Sequence, residues 1–275
     1  MFSAKTNELN LVSFIEINVI QAILIGLWTA FCFSGMLLGI YTNRCIILSF
    51  GVGVIVGDVP TALAMGAISE LAYMGFGVGA GGTVPPNPIG PGIFGTLMAI
   101  TSAGKVSPEA ALALSTPIAV AIQFLQTFAY TAFAGAPESA IKHLRNGNVR
   151  GFKMVANGTV WLFALLGFGL GVLGALSMET LLHLVDFIPP VLLNGLTVAG
   201  KMLPAIGFAM ILSVMAKKEL IPFVLLGYVC AAYLGVPTIG IAIIGTMFAL
   251  MEFYNKPKTT ETIAASEGDG QDDWI

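Results

Sequence analysis

Two acidic side chains stand inside apolar stretches, where a charge is costly. Glu70 lies within ALAMGAISELAYMGFGVG, and Asp58 lies within VGDVPT. A carboxylate far from either end of such a run is stable only where it faces a cavity, a partner or a ligand. We therefore predict a ligand-binding or gating role for Glu70, with a structural ion pair as the alternative. Asp58 precedes Pro60 as a helix-capping residue would, so capping is the alternative to a ligand role there.

Three uncharged polar side chains also interrupt apolar runs. Gln123, Gln126 and Asn194 can each donate and accept hydrogen bonds. They are candidates for binding a polar ligand, and hydrogen bonds between helices explain them equally well. Together with the two carboxylates, they favour a site that recognises a small polar molecule.

The chemistry of common enzyme and metal sites has no counterpart in this sequence. It contains no HExxH motif, nucleophile elbow or Walker lysine, so metalloprotease and serine-hydrolase functions lose their usual support. His143 and His183 are far apart, and Cys32, Cys45 and Cys230 show no paired metal spacing. We expect free thiols, no metal, no cofactor and no enzymatic activity of this chain by itself.

The composition is that of an integral membrane protein. Of 275 residues, 56% are hydrophobic and 10% are charged, whereas about a quarter of a typical soluble domain is charged. Apolar runs such as IAIIGTMFALMEF are continuous, while strands of a membrane barrel alternate apolar and polar residues. The sequence therefore predicts an all-α polytopic protein in a lipid bilayer. The net charge of −3 gives no indication of a nucleic-acid partner.

Several apolar segments are shorter than the roughly 20 residues that a helix needs to cross a bilayer. The segments cover residues 17–40, 45–57, 60–76, 89–104, 109–135, 154–176, 180–200, 202–216, 220–234 and 236–254. Glycine, aspartate and proline interrupt the early short ones. We predict broken helices or re-entrant hairpins there.

The stretch GVGAGGTVPPNPIGPG, residues 77–92, disfavours regular helix. Non-helical backbone at membrane depth persists only where protein or a watery cavity surrounds it. Broken helices present free N–H and C=O groups to polar ligands in transporters. We therefore predict that Pro85, Pro86 and Asn87 belong to a ligand site, with an extramembrane loop as the alternative.

Basic residues predict the orientation of the chain. The segment KHLRNGNVRGFK, residues 142–153, contains four Lys and Arg residues and no acid, so we expect a cytoplasmic loop. It separates an amino-terminal membrane half, residues 1–141, from a carboxy-terminal half, residues 154–255. The acidic tail, residues 256–275, is expected to be disordered and cytoplasmic.

A set of short motifs in both halves resembles a known family of membrane proteins. The first half carries Gly57-Asp58 with Thr61, Gly66, Glu70-Leu71, Met74-Gly75, Pro85-Pro86-Asn87, and Pro117 with Gln123. The second carries Asn194-Gly195-Leu196, Val198-Ala199-Gly200, Met202, Pro204, Gly207-Phe208-Ala209, and Ile221-Pro222-Phe223 through Gly227 to Ala231-Ala232. Their order and spacing resemble subunit IIC of the mannose, fructose and sorbose family of bacterial sugar phosphotransferase systems.

This resemblance implies a sugar-translocating permease subunit in the bacterial cytoplasmic membrane. In that family, subunit IIC works with membrane subunit IID in a higher-order complex, and cytoplasmic subunits IIA and IIB phosphorylate the sugar. Phosphoryl groups are then expected on the partners and not on His143 or His183. The sugar is expected to be a hexose or an amino sugar such as N-acetylgalactosamine or galactosamine. A secondary transporter or channel for a small polar solute, without phosphorylation, is the alternative function.

Three residues replace glycines that the family usually has, namely Ala62, Ala67 and Lys201. Lys201 is the unusual one, because its segment should be partly buried. The alternatives for it are an ion pair with Asp186 or Glu179, a contact with the partner subunit, an effect on substrate choice, or an ammonium group that extends to the membrane interface.

The predicted site combines side chains that hydrogen-bond a sugar with glycines and prolines that shape the backbone around it. The predicted substrate-binding residues are Glu70, Asp58, Asn87, Gln123 and Asn194. The predicted backbone or gating residues are Gly66, Pro85, Pro86, Gly195 and Gly200.

Overall fold

The computed structural model describes residues 17–74, 86–102, 104–215 and 217–255 of the chain. Its contacts group the chain into two compact units, Met1–Met215 and Ala216–Ile275. The predicted tail, residues 256–275, lies outside the described residues, and so does Pro85 with the glycine-rich stretch before it.

Every regular element within these described ranges is a helix, which confirms the predicted all-α fold class. The first unit contains α1 (Val19–Gly35), α2 (Cys45–Val56), α3 (Val59–Tyr73), α4 (Thr96–Thr101), α5 (Pro108–Ala132), α6 (Ala136–Arg145), α7 (Val149–Leu176), α8 (Met178–Asp186) and α9 (Pro190–Met215). Short tight helices cover Met36–Leu38 and Lys218–Leu220, and a π-helical segment, Gly90–Gly95, leads directly into α4. The second unit contains α10 (Ile221–Ala232) and α11 (Thr238–Asn255).

Five helical stretches in the described part of the chain are long and apolar enough to cross a membrane. They are Val19–Leu38, Pro108–Arg145, Val149–Leu176, Pro190–Met215 and Thr238–Asn255. Three further apolar helical stretches are shorter, at Cys45–Val56, Gly90–Thr101 and Ile221–Ala232. The protein is therefore a polytopic membrane protein with several helices that are too short to span alone.

Helices α2 and α3 form an antiparallel hairpin around the Gly57-Asp58 turn. Gly57 ends α2 with a φ of 95°, a left-handed conformation that glycine adopts at little cost. Gly66 of α3 packs directly on Ile46 and Ser49 of α2. At 1.5 Å per residue, the 12-residue α2 is only about 18 Å long, against the roughly 30 Å of a hydrocarbon core. The predicted short hairpin is thus present in the structure.

The segment that begins at Pro86 lies between α2 and α5. Its backbone approaches α5 closely, because the Asn87 N–H donates to the Ala119 carbonyl at 3.1 Å. A side chain at Gly90 would overlap the backbone of Ala119, and one at Gly92 would overlap Leu48 of α2. The glycines of the proline-rich stretch therefore allow a short π-helical and α-helical piece to be buried between two other helices.

Glycine also brings α1 and α7 together as antiparallel partners. Gly167 and Gly171 of α7 lie against the backbone of α1 near Thr29 and Gly26, as small residues do at close helix contacts in membranes. Since Gly167 and Gly171 lie beyond residue 153, this contact joins the two predicted membrane halves. Their boundary at residues 142–153 stays a prediction about the topology.

Helix α9 corrects one predicted break. The sequence pattern separated segments 180–200 and 202–216, whereas α9 is continuous from Pro190 to Met215 and contains Pro204. Its glycines explain why the helix persists: Gly200 packs on the backbone of Glu109, and Gly207 packs on the backbone of Leu71 and Ala72. Contacts along the helix thus offset the hydrogen bond that an internal proline removes.

The basic segment at residues 142–153 is mostly helical. Helix α6 ends at Arg145 and α7 begins at Val149, so only three residues connect them. Asn148 caps α7 by accepting a hydrogen bond from the Gly151 N–H at 2.9 Å. The segment is the tight end of a helical hairpin, whereas its composition predicted a loop.

The second unit contains a further antiparallel pair of helices. The rings of Phe223 in α10 and Phe248 in α11 lie 5.7 Å apart between centroids. Gly235, with a φ of 60°, lies in the turn between the two helices.

Candidate functional site

Glu70 lies near the carboxyl end of α3 and makes two polar contacts with the start of α2. Its Oε1 accepts a hydrogen bond from Arg44 Nε at 2.6 Å, and the two side chains form an ion pair. Its Oε2 accepts from the backbone N–H of Ile46 at 3.4 Å. The Glu70 side chain is 16% exposed, and that of Arg44 is 48% exposed. The predicted alternative of a structural ion pair is therefore present, and the carboxylate still reaches solvent.

The antiparallel packing of α2 on α3 explains this arrangement. Arg44 precedes α2 in extended conformation, with a φ of −125° and no side-chain cap of its own. The first N–H groups of a helix lack partners within the helix and attract negative charge. Because α3 runs antiparallel to α2, its carboxyl end brings Glu70 to these groups.

A cleft of about 270 Å³ opens beside this ion pair. We call it the Glu70 cleft. Ten residues line it: Met36, Asn43, Arg44, Cys45, Glu70, Tyr73, Pro86, Pro88, Gln123 and Gln126. The structure thus brings together Glu70, Pro86 and Gln123 of the predicted site residues.

Asn87 supports the Glu70 cleft from behind. It is completely buried, and its Nδ2 donates to Gln126 Oε1 at 2.5 Å. Its Oδ1 accepts from the Ile89 N–H at 3.0 Å. Asn87 therefore ties the start of the proline-rich segment to α5 and orients Gln126, which does line the cleft. Its predicted direct contact with substrate stays a prediction without support from its position.

Asn43 is a polar lining residue that the sequence analysis did not identify. Its Nδ2 donates to Met36 Sδ at 3.6 Å, while its buried Oδ1 has no hydrogen-bond partner among the described residues. A buried acceptor without a partner costs about 1–3 kcal/mol. The only signal in the sequence is the short polar run Thr42-Asn43-Arg44 before an apolar helix, which looks like an ordinary connection.

Asp58 lies at the other end of α3. Its Oδ1 accepts from the Thr61 N–H at 3.2 Å, so the predicted capping role is confirmed. Glu70 lies twelve positions further along α3, about 18 Å at 1.5 Å per residue. Asp58 lines a separate cleft of about 550 Å³ with Thr61, Ile100 and Ser107 among its neighbours. The structure therefore does not place Asp58 and Glu70 in one site.

The predicted residues of α9 are not part of the Glu70 cleft. Asn194 is exposed and is not among the residues that line either described cleft. Gly195 is exposed as well, whereas Gly200 is buried against Glu109. The hypothesis that the second half completes the site near Asn194 gains no support from these positions.

Lys201 is exposed on α9. Among the side chains that the structure describes, which exclude that of Asp186, it makes no ion pair. An ion pair with Glu179 is therefore absent among the described side chains. A pair with Asp186 stays a prediction, because the Asp186 side chain lies outside the described part, and the other three explanations also stay open.

Comparison with known proteins places this architecture in a family. The family model described as the sorbose-specific IIC component of a PTS system matches residues 19–251. N-acetylgalactosamine permease IIC component 1 of Escherichia coli (strain K12) is 33% identical over 187 residues, which are 66% of this chain and 67% of the relative. The mannose-specific EIIC component of the PTS system of the same organism is 29% identical over 253 residues, 91% of this chain and 94% of the relative.

Solved structures give the same result for the fold. One, described as a membrane protein, has a TM-score of 0.79 at 29% identity and covers 88% of this chain and 98% of its own. Another is a cryo-electron microscopy structure of the mannose transporter ManYZ in complex with microcin E492. It has a TM-score of 0.54 at 29% identity and covers 89% of this chain and 98% of its own. The chain belongs to the family of sorbose-specific IIC components of phosphotransferase systems and is a multi-pass sugar permease subunit.

Proposed function

We propose that this permease subunit binds a hexose or amino sugar in the Glu70 cleft and carries it across the bacterial cytoplasmic membrane. The single observation that supports the proposal is the convergence of polar groups there. A carboxylate, a guanidinium and three side-chain amides from α3, α5 and the start of α2 line one cleft. Sugar hydroxyls donate and accept hydrogen bonds, so this mixture of donors and acceptors suits them.

Each polar group has a distinct role in this proposal. Glu70 keeps free lone pairs beside its bonds to Arg44 and Ile46, since a carboxylate offers about four acceptor positions. Asn43 contributes a side-chain amide to the cleft lining, and a turn of this side chain toward the sugar would give its Oδ1 the partner that the described residues do not supply. Gln123 contributes an amide from α5 that can donate and accept.

The size of the cleft agrees with a small substrate. Its volume of about 270 Å³ lies just below the range of about 300–1,000 Å³ that is usual for sites of drug-sized molecules. A single sugar ring is smaller than such molecules. The relatives named above for N-acetylgalactosamine and mannose and the sorbose-specific family model support a monosaccharide, with an amino sugar as our first choice.

Phosphorylation of the sugar takes place on partner subunits in this proposal. Cytoplasmic subunits IIA and IIB carry the phosphoryl groups, and subunit IID completes the membrane complex. Neither His143 in α6 nor His183 in α8 is among the residues that line the Glu70 cleft. The similarity to the mannose transporter ManYZ supports a second membrane subunit. By the positive-inside rule, the basic segment and the carboxyl terminus face the cytoplasm.

The test separates the Glu70 cleft from the cleft at Asp58. Gln123→Leu removes an amide that can bind sugar, while Asp58→Asn retains a capping side chain of equal quality. We expect Gln123→Leu to weaken sugar binding about tenfold, the effect of about 1.4 kcal/mol, and Asp58→Asn to leave it unchanged. Isothermal titration of the purified complex with N-acetylgalactosamine and with mannose measures both. The reverse pattern would move the sugar site to the other end of α3.

A further inference from the structure

The hairpin end of α6 and α7 carries a concentrated positive charge. Four basic residues, Lys142, Arg145, Arg150 and Lys153, lie within twelve positions that contain no acidic residue, and all four are exposed. Juxtamembrane basic residues attract anionic lipid headgroups by about 1 kcal/mol each. We call these four residues the basic corner.

An apolar cleft of about 430 Å³ lies next to the basic corner. It is formed by aromatic rings at the end of α5 and by small or branched residues of α6 and α7, among them Tyr130, Phe133, Ala136, Ala140, Val155 and Ala156. This lining offers apolar contacts to a hydrocarbon chain.

The antiparallel packing of α6 on α7 sets the distance between the charges and the cleft. His143 packs against Gly151 at the tight end of the hairpin, and Ala140 and Val155 follow one turn further along. Lys153 precedes the lining residue Ala156 by three positions, a spacing that puts both on the same face of α7. Cationic groups and an apolar cleft therefore lie side by side.

We propose that this juxtaposition is a binding site for an anionic phospholipid. The phosphate of the headgroup binds the basic corner, and one acyl chain occupies the cleft between α6 and α7. A phospholipid contains these two chemistries covalently joined, a negative charge directly beside hydrocarbon. No part of the sugar-binding proposal is needed for this inference.

The surroundings favour lipid over a soluble protein as the occupant. The stretch that contains α5 and the helix α7 are both long and apolar enough to cross a membrane, so in a bilayer acyl chains would lie next to the cleft at the ends of these helices. Next to the basic residues, α6 also exposes Ile141 and Leu144, at 52% and 55%. Basic and large apolar side chains together on one short helix are typical of helices that lie in a membrane interface.

Lipid binding to the purified complex in detergent tests the proposal, with native mass spectrometry as the measurement. We expect phosphatidylglycerol to bind at least tenfold more tightly than phosphatidylcholine with the same acyl chains. Glycerol 3-phosphate has the negative charge but no acyl chain, and it should not displace phosphatidylglycerol from the complex. Equal affinity for the two phospholipids would overturn the proposal.

Variants separate the two parts of the site. Replacing the four basic residues by Gln should remove the preference for phosphatidylglycerol, and Arg150→Gln alone should reduce it if the fourfold variant does not assemble. Ala156→Phe fills the cleft without changing a charge and should lower the affinity for both phospholipids severalfold. Lys201 is another exposed lysine, so Lys201→Gln is the matched control. It should change neither the preference for phosphatidylglycerol nor the affinity for either lipid. Unchanged lipid binding in the fourfold variant together with lost IIB-dependent sugar phosphorylation would make the corner a protein-docking surface and refute the proposal.

Discussion

Glu70 combines a structural contact and a proposed binding role in one side chain. Its carboxylate pairs with Arg44 and accepts from the first turn of α2, yet it also lines the cleft. The two roles agree physically, because a charge-assisted hydrogen bond from the guanidinium holds the carboxylate in one orientation. A substrate then meets an acceptor that is already oriented.

We predict that Glu70→Gln lowers sugar affinity by one to two orders of magnitude while the complex still assembles. Glutamine keeps the volume and exchanges one acceptor for a donor, and hydrogen bonds to charged groups contribute about 1.5–3 kcal/mol. Isothermal titration measures the affinity, and yield with thermal stability reports on assembly. Normal sugar binding by a poorly assembled complex would identify Glu70 as a structural partner of Arg44 alone.

Arg44→Gln and the double variant provide the control, since a double-mutant cycle isolates the interaction of two residues. If Glu70 contacts sugar, the loss caused by Glu70→Gln persists in the Arg44→Gln background. If Glu70 acts only through Arg44, the second substitution adds no further loss.

At the scale of elements, glycine determines how closely the helices of the first unit approach. Gly66 allows α2 and α3 to form their hairpin, and Gly90 allows the proline-rich segment to lie on α5. The position of Glu70 and the shape of its cleft depend on these contacts. A larger residue at such a place changes the site even though it touches no ligand.

Two glycines of α9 give a matched pair for this argument. A methyl group at Gly200 would overlap the backbone of Glu109, whereas one at Gly195 meets no atom of the described residues within 4 Å. We predict that Gly200→Ala destabilises the complex by about 1–3 kcal/mol, the usual cost of overpacking. Gly195→Ala should be neutral or slightly stabilising, because alanine favours helix. Thermal unfolding in detergent compares the two variants. Equal unfolding midpoints would contradict the close packing of Gly200 on Glu109.

At the scale of the whole molecule, the short helices lead us to predict that this chain needs a partner in the membrane. Backbone groups at the ends of an 18 Å helix need protein or water around them inside a bilayer. We predict that the chain co-purifies with subunit IID in a higher-order complex, measured by affinity capture and the mass of the complex. Capture from cells that lack IID is the control. Isolated monomers that bind sugar and remain stable would contradict this prediction.

Features that depend on neighbouring residues could be predicted from the sequence. Asp58 caps α3, and Ser107 caps α5 by accepting from the Ala110 N–H at 3.3 Å, because a cap forms within one turn. The early short helices were predictable for the same reason, since glycine, aspartate and proline interrupt the apolar runs locally. The continuity of α9 through Pro204 was not, because contacts from other helices maintain it.

The sequence by itself determined the class of this protein: its composition is that of an all-helical membrane protein, and the order of its motifs resembles a permease subunit. Only the tertiary structure decided which polar residues meet. Arg44 and Glu70 are 26 positions apart, and Asn87 and Gln126 are 39 apart. It also separated Asp58 and Asn194 from the Glu70 cleft and added Asn43 to it. The physical reason is that such contacts depend on the direction and register in which helices pack, and a single sequence does not specify these locally.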